Sequence, residues 1–299
     1  MYNKIQFGER YSILLVLTLF MAASMGVSAQ ATTQCKDTGL AVQVLGSGGP
    51  FGAGRASAGY LIWIDGNSHL MIDAGGGTFS NFAKTGASIT DLSTVAISHF
   101  HPDHSAELPA LLWPRSGSIR LIGPTGTSAY PSASEYADGL FGDTGVFRDI
   151  SRRFTVTPQN VDVTATNLEV LKESEFTLHA QGVPHGDVPT LAYRVTVGDT
   201  SVVFSSDQKG SDPRFIEFAK GADLLVVHFA GSGGIKGLFN PLHASPITWA
   251  EIAVDAGVGE LMLSHLSMNQ DFDANLATLK SIYSGPLLIA EDLMCVSPG

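Results

Sequence analysis

The sequence predicts an α/β fold in which helices cover the outer faces of β-sheets. The first observation is a series of short apolar runs bounded by glycine, serine or aspartate, a pattern typical of buried strands. The second is a set of helical signals between those runs, with apolar residues at helical spacing. Because such sheets bury their apolar faces against helices, a layered domain is expected.

The predicted strands occur throughout the chain and are rich in valine, leucine and isoleucine. They cover residues 41–45, 59–64, 70–73, 94–98, 201–204, 224–227, 260–263 and 286–289. Residues 125–154, rich in glycine, serine, tyrosine and aspartate, show the weakest periodicity. We expect this segment to be a surface excursion beside the functional site.

Two helices are predicted near the C-terminus. The first begins at Ser245, a capping residue followed by proline at the first helical position, and ends at Gly257. The second covers about residues 271–283 and ends before Gly285.

The first 29 residues have the features of a secretory signal peptide. Lys4 and Arg10 precede an apolar run at 13–23, and Val27-Ser28-Ala29 supplies the small residues that a signal peptidase requires. The run is too short for a typical spanning helix, although an uncleaved membrane anchor is the alternative. We expect residues 30–299 to form a single periplasmic or secreted domain, with no membrane attachment after cleavage.

The charge of the chain argues against nucleic acid as a partner. The formal net charge is −11, and an acidic chain repels a long polyanion unless its cations are concentrated in one place. The basic cluster at 148–153 is interpreted as a solvated helix face. We therefore expect a small-molecule substrate.

Two cysteines, Cys35 and Cys295, lie near the two ends of the predicted mature chain. Neither belongs to a metal-binding Cys-x-x-Cys pair, and export would place both in an oxidising compartment. A disulfide between them is predicted, with two separate thiols as the alternative.

The strand at 94–98 leads directly into His99-Phe100-His101-Pro102-Asp103-His104. In an extended segment His99 and His101 point to the same side, so two imidazoles can bind one metal ion. After the turn at Pro102, Asp103 and His104 begin a helix and face the same cavity. Imidazole and carboxylate ligands suit zinc, and this segment supplies ligands for two adjacent ions.

The pattern His99-x-His101-x-Asp103-His104 resembles the signature of the metallo-β-lactamase superfamily, whose fold is an αββα sandwich with metals at one edge. The similarity extends over about residues 41–296. The remaining family motifs occur in the expected order at Asp73, His185, Asp207 and His265.

The resemblance implies a site with two zinc ions per chain and seven ligands. The implied ligands are His99, His101 and His185 for one ion, Asp103, His104 and His265 for the other, and Asp207 with a water or hydroxide between them. Asp73 is implied to orient the site. Two cations would activate the water, so no protein nucleophile is required, and the sequence contains no nucleophile elbow.

Within the superfamily, the segments 44–50, 242–245 and 289–294 are most similar to the ribonuclease Z branch. That branch also resembles zinc arylsulfatases and exported cyclic-nucleotide phosphodiesterases, which all cleave an oxyanion ester. The lactamases proper use a cysteine ligand or lack the bridging aspartate, whereas Asp207 is present here.

Two departures argue against ribonuclease Z itself. Only 21 residues separate His185 from Asp207, where that enzyme carries its tRNA-gripping arm. The His-Glu-Ala motif of the branch is His228-Phe229-Ala230 here, so the glutamate that would orient the catalytic histidine is missing.

The sequence therefore predicts an exported dizinc hydrolase of a small anionic ester, either a phosphodiester or a sulfate ester. His243 is implied to be the general acid, and Asp103 is placed with it among the catalytic residues. A lactonase or β-lactamase-like hydrolase of a neutral cyclic ester or amide is one alternative. A non-catalytic zinc-binding protein is the other.

Overall fold

A computed structural model of the chain describes residues 35, 38–51, 54–231, 242–267 and 271–299. The signal peptide predicted at residues 1–29 lies outside the described residues and stays a prediction. Among the described residues, none of the helices combines the length and apolar character needed to cross a membrane.

The first sheet is mixed and has seven strands. They are β1 (Leu40–Gly46), β2 (Gly59–Ile64), β3 (Asn67–Ile72), β4 (Thr94–Ala96), β5 (Gly117–Pro124), β6 (Phe154–Val161) and, from the C-terminus, β14 (Cys295–Val296). The spatial order is β14-β1-β2-β3-β4-β5-β6. Strands β3 to β6 run parallel, so their C-terminal ends share one edge of the sheet.

The second sheet is also mixed and has seven strands. They are β7 (Leu168–Lys172), β8 (Thr177–Gly182), β9 (Leu191–Val197), β10 (Thr200–Phe204), β11 (Leu224–His228), β12 (Glu260–Ser264) and β13 (Leu287–Ile289). The spatial order is β13-β12-β11-β10-β9-β8-β7. Strands β10 to β13 run parallel, so this sheet also collects several strand ends at one edge.

Helices cover the outer face of each sheet. They are α1 (Thr78–Phe82), α2 (Pro102–Ser105), α3 (Leu108–Leu112), α4 (Ala133–Phe141), α5 (Arg214–Ala219), α6 (Pro246–Ala256) and α7 (Phe272–Lys280). Buried residues of α1, α3 and α4 share one apolar cluster with the first sheet, and those of α5, α6 and α7 share another with the second sheet. These layers confirm the predicted αββα sandwich.

Alternating side chains of each strand separate the inner core from the two outer cores. Val42 and Val44 of β1 face the inter-sheet core, which also contains Phe204 of β10. Ala41 and Leu45 of the same strand face the helices. Because successive side chains of a strand point to opposite faces, a strand with apolar residues on both faces can serve both cores at once.

Both predicted C-terminal helices are present, and their caps explain their bounds. The Ser245 hydroxyl accepts a hydrogen bond from the backbone N–H of Thr248, and Gly257 ends α6 with a φ of 60°. Asp271 caps α7 in the same way through the N–H of Ala274, and the helix ends at Lys280, earlier than predicted.

Residues 125–154 were expected to be a surface excursion, and the structure adds a helix that the sequence did not indicate. This segment contains α4, which begins with a reciprocal capping box between Ser132 and Glu135. The helix has few large apolar residues on its buried face, where Ala133 and Ala137 accompany Phe141. A short helix that buries mainly alanine produces little hydrophobic periodicity, which is why the pattern did not indicate it.

The helix expected after Asp103 is divided into α2 and α3. The backbone N–H of Glu107 donates to the carbonyl of Ala74 rather than to its own helix. Pro109 then lacks an N–H group, so the helical ladder restarts from Leu108 instead of continuing. The interruption ties this segment to the loop that follows β3.

The predicted disulfide between Cys35 and Cys295 is confirmed, with a Cα–Cα separation of 5.7 Å. It joins the residues before β1 to β14, which pairs antiparallel with β1. The crosslink closes a loop of 260 residues in sequence.

We predict that replacing both cysteines by serine lowers the free energy of unfolding by up to about 4–5 kcal/mol, because the crosslink restricts the unfolded chain. Urea denaturation of both proteins measures the difference, and intact mass with and without reductant establishes the bond. Free alkylation of both thiols in folded, oxidised protein would contradict the prediction.

Candidate metal centre

The predicted ligands meet at one edge of the sandwich, where strands of both sheets end. His99 follows β4 in the first sheet, whereas Asp207 and His265 follow β10 and β12 in the second. His185 lies in the loop after β8. The two sheets therefore contribute to one cluster, and all seven predicted ligands lie in or beside it.

Backbone conformation at this edge is unusual. Asp73, Ser206 and His265 have φ values of 57°, 56° and 52°, in the left-handed region that residues other than glycine rarely adopt. Each such residue costs on the order of 1–3 kcal/mol, and such residues concentrate at functional sites. Asp73 and His265 directly follow β3 and β12, and Ser206 directly precedes Asp207, so the chain turns at the positions where the cluster forms.

One group of imidazoles consists of His99, His101 and His185, whose nitrogen atoms lie within 4.8 Å of one another. His99 Nε2 and His101 Nδ1 are 3.0 Å apart. Bonds of 2.0–2.1 Å to a tetrahedral zinc ion would place two ligand nitrogens about 3.3 Å apart. The spacing therefore suits a single ion.

A second group contains His104, Asp207, His228 and His265, again with ligand atoms within 4.8 Å of one another. Asp103 lies beside it, with Oδ2 3.2 Å from His265 Nε2 and 3.5 Å from His104 Nε2. This group has the donors for a second ion and includes His228, which was not among the predicted ligands.

Asp207 lies between the two groups. Its Oδ2 is 3.7 Å from His185 Nε2 and 3.9 Å from His99 Nε2 in the first group, and 3.5 Å from His104 Nε2 in the second. Its Oδ1 is 3.5 Å from His265 Nε2. A carboxylate in this position can contact two ions at once.

The donor set fits divalent metal. Nε2 of His185 is buried and forms no hydrogen bond with the described residues, although buried imidazole nitrogens are normally paired. Metal binding would satisfy this atom. Imidazole nitrogens combined with two carboxylates are the ligands that zinc prefers among the common divalent ions.

Metal binding requires deprotonated ligands, and several of these groups meet that requirement before any ion binds. Burial lowers the pKa of His99 well below its usual value, so this imidazole is neutral. Burial opposes the charge of Asp207, but the neighbouring His265, His243 and His104 hold its pKa well below the usual value. The pKa of Asp103 is lowered in the same way, by His104 and His265 against the effect of burial. The exception is His104: burial lowers its pKa, but the carboxylates of Asp207, Asp103 and Asp73 raise it well above the usual value, so an ion would have to displace this proton.

Hydrogen bonds behind the cluster fix the orientation of two imidazoles. Asp73 Oδ2 accepts from His104 Nδ1 at 2.8 Å, and the same carboxylate accepts from the backbone N–H of Ser98 at 2.7 Å. His185 Nδ1 donates to the Leu242 carbonyl at 3.1 Å. In both cases the Nε2 atom is left to face the cluster, as expected of an oriented ligand.

His243 also faces the cluster. Its Nε2 lies 3.9 Å from Asp207 Oδ2, and its ring centroid is 5.3 Å from that of His185. Together with His185 and Asp207 it forms a third possible ligand group. The position is compatible both with the predicted proton donor and with a metal ligand.

His228 is the residue that sequence reasoning did not assign. Its Nδ1 lies 2.7 Å from Asp207 Oδ1, and its ring stacks on His265 with centroids 4.7 Å apart. The available signal was its place at the end of β11, next to the strand that precedes Asp207.

An αββα sandwich with histidine and aspartate clusters at one sheet edge is the architecture of a class of metal-dependent hydrolases. The family model for the beta-lactamase superfamily domain matches residues 69–266. The chain therefore belongs to the β-lactamase superfamily, and it is a metal-dependent hydrolase.

Similar proteins span nearly the same length. YhfI of Bacillus subtilis (strain 168), named a probable metallo-hydrolase, is 28% identical over 258 residues, which are 84% of this chain and 97% of YhfI. Its crystal structure has a TM-score of 0.69 and 24% identity, covering 86% of this chain and 98% of that one.

Two further similar proteins are named for RNA processing. Ribonuclease Z of Mycobacterium sp. (strain KMS) is 31% identical over 252 residues, 76% of this chain and 84% of that one. The short form of human tRNase Z has a TM-score of 0.67 at 18% identity, covering 87% and 99% of the two chains. The latter likeness concerns the fold alone.

We predict two metal ions per chain in metal-replete protein and about one in Asp103→Ala, because that variant removes a carboxylate from the second group only. Elemental analysis measures the content, and Asp143→Ala, which removes an exposed carboxylate, is the control. One tightly held ion in the unmodified protein, unchanged in Asp103→Ala, would refute the prediction.

Proposed function

We propose that the protein is a dizinc hydrolase that cleaves a small anionic ester, either a phosphodiester or a sulfate ester. The observation that carries the proposal is the position of Asp207 between two groups of imidazoles. Two cations held side by side suit an ester whose oxygens carry negative charge, since both can contact the reacting group. The neutral cyclic esters and amides of the alternative function carry no negative charge that would require two cations.

The space beside the centre supports a small substrate. The segment from His185 to Asp207 consists of a short loop followed by the β9–β10 hairpin, where a tRNA-binding arm would have to be inserted. A pocket of about 300 Å³ borders His185 and includes Val183, Val188 and Arg214 in its wall. This volume is at the lower end of the range for small-molecule sites.

The residues of the site would have different roles in metal binding and in catalysis. His99, His101 and His185 would hold one ion and His104, Asp103 and His265 the other, with Asp207 between them. When bound, the two ions supply Lewis acidity that lowers the pKa of a shared water and polarises the ester. His243 is proposed to give a proton to the leaving group.

The environment of His243 bears on that role. Burial lowers the pKa of His243 to about 4, with neighbouring His265 and His185 adding to the effect and Asp207 opposing it. An anionic ester bound against His243 would raise this pKa, because an opposite charge favours the imidazolium ion, whereas the two cations would lower it. We therefore propose that His243 takes up a proton only when the anionic substrate is bound.

Export to the periplasm or the medium is part of the proposal and rests on the signal-like sequence at residues 1–29. The exclusion of nucleic acid rests on the net charge of −11 and on the short segment before Asp207. Relatives named ribonuclease Z give that exclusion no support, so precursor tRNA belongs among the test substrates.

A substrate panel tests the proposed function. We expect hydrolysis of chromogenic phosphodiesters or aryl sulfates by zinc-loaded protein, with much slower turnover of a lactone, a cephalosporin or precursor tRNA. Preference for the lactone or the cephalosporin would favour the neutral-substrate alternative. Efficient cleavage of precursor tRNA would overturn the exclusion of nucleic acid.

We predict that His243→Ala slows hydrolysis of an ester with a poor, alkoxide-like leaving group by roughly 10²–10⁴-fold, because that group must be protonated as it departs. Nitrophenolate departs without a proton, so its release should be affected far less. The ratio of the two rates in variant and unmodified protein is the measurement.

Metal content decides the competing interpretation of His243. A proton donor can be removed without loss of zinc, whereas a ligand cannot. Loss of zinc from His243→Ala, or an equal loss of rate with both leaving groups, would mean that this residue is a ligand or a structural residue.

A further inference from the structure

A buried series of side-chain hydrogen bonds links the first sheet to the carboxylate of Asp207. Tyr60 in β2 is fully buried, and its hydroxyl donates to Ser264 Oγ at 2.8 Å and lies 3.2 Å from His228 Nε2. On the other side of the ring, His228 Nδ1 lies 2.7 Å from Asp207 Oδ1. One imidazole therefore connects a side chain of the first sheet with a metal-facing carboxylate of the second.

The direction of each hydrogen bond between Tyr60, His228 and Asp207 follows from which atoms can donate and which can only accept. A carboxylate only accepts hydrogen bonds, so His228 Nδ1 carries the proton and donates it to Asp207. With the proton on Nδ1, the Nε2 atom of a neutral imidazole carries a lone pair that can accept a hydrogen bond. Burial raises the pKa of Tyr60 well above its usual value, so its hydroxyl keeps a proton to share between Ser264 and Nε2 in a three-centre arrangement.

The consequence for Asp207 is a fixed carboxylate plane. With Oδ1 held by His228, Oδ2 faces His104 Nε2 at 3.5 Å and His185 Nε2 at 3.7 Å. Rotation of the carboxylate about its last bond would move Oδ2 away from both. The His228 ring itself is held on its face by His265, with an interplanar angle of 16°.

We propose that His228 and Tyr60 are positioning residues that hold Asp207 in the orientation needed to contact both ions, and that His228 is not itself a zinc ligand. The proposal rests on the proposed dizinc site. It gives a role to His228, which is present although the glutamate expected directly after it is replaced by Phe229. Through Tyr60, a residue of the first sheet also contributes to the metal centre.

The competing assignment makes His228 a ligand, since its Nδ1 belongs to a possible ligand group with His104, Asp207 and His265. The two assignments differ in what can replace the residue. An asparagine at this position can present its amide N–H where Nδ1 now donates, but its amide nitrogen cannot bind zinc. Leucine can do neither.

The experiment is a zinc-affinity titration against a chelating indicator, with turnover of a chromogenic phosphodiester as a second readout. The variants are Tyr60→Phe, His228→Asn and His228→Leu. The matched control is Tyr193→Phe, which removes an equally buried hydroxyl that donates across the sandwich to the Ile97 carbonyl at 2.9 Å without contacting a predicted ligand.

We expect His228→Leu to weaken binding of at least one zinc ion by about 10–100-fold, the usual effect of removing a group that orients a ligand. His228→Asn should recover most of that affinity. Tyr60→Phe should weaken zinc binding measurably, whereas Tyr193→Phe should bind zinc as the unmodified protein does. If His228→Leu does not fold, Tyr60→Phe and the asparagine variant against unmodified protein still decide the outcome.

Four results would overturn the proposal. Equal zinc loss in His228→Asn and His228→Leu would make His228 a ligand. Tyr60→Phe indistinguishable from Tyr193→Phe would remove Tyr60 from the metal centre. Absence of zinc binding by the unmodified protein would overturn the proposed function as well, whereas two bound ions with unaffected variants would overturn this inference alone.

Discussion

The central constraint on this structure is the convergence of one buried carboxylate with imidazoles from both sheets. Asp207 follows a strand of the second sheet, and His99 and His104 follow a strand of the first, yet both imidazoles place Nε2 within 4 Å of Asp207 Oδ2. Charged and polar groups at such burial are costly unless they are paired or bound to metal. The relative position of the two sheets must therefore be maintained for these groups to remain satisfied.

Several features of the fold serve that requirement. Parallel strands in each sheet bring their C-terminal ends to a common edge, and left-handed residues such as Asp73 and His265 turn the chain sharply there. The apolar core between the sheets holds the layers in register, and the disulfide fixes β14 beside β1 at the far side of the first sheet. Local backbone strain at the edge is tolerated because the surrounding layers are well packed.

Local patterns predicted the α/β layers and the metal-binding segment, and the family resemblance of that segment implied the sandwich and the remaining ligands. The six residues from His99 to His104 indicate a metal site by themselves. Ser245 and Gly257 indicate the two ends of one helix. By contrast, α4 buries mainly alanine, so its periodicity was too weak to detect. The contact between His228 and Tyr60 joins residues 168 positions apart on different sheets, which no local pattern can indicate.

Anomalous diffraction at the zinc edge, from crystals of metal-replete protein, tests the central claim most directly. A dizinc centre predicts two peaks roughly 3.5–4 Å apart. Asp207 should contact both, and His228 should contact the carboxylate rather than either peak. A single peak, or two peaks of which one is bound by His228 without Asp207, would contradict the assignment of Asp207 as the shared ligand.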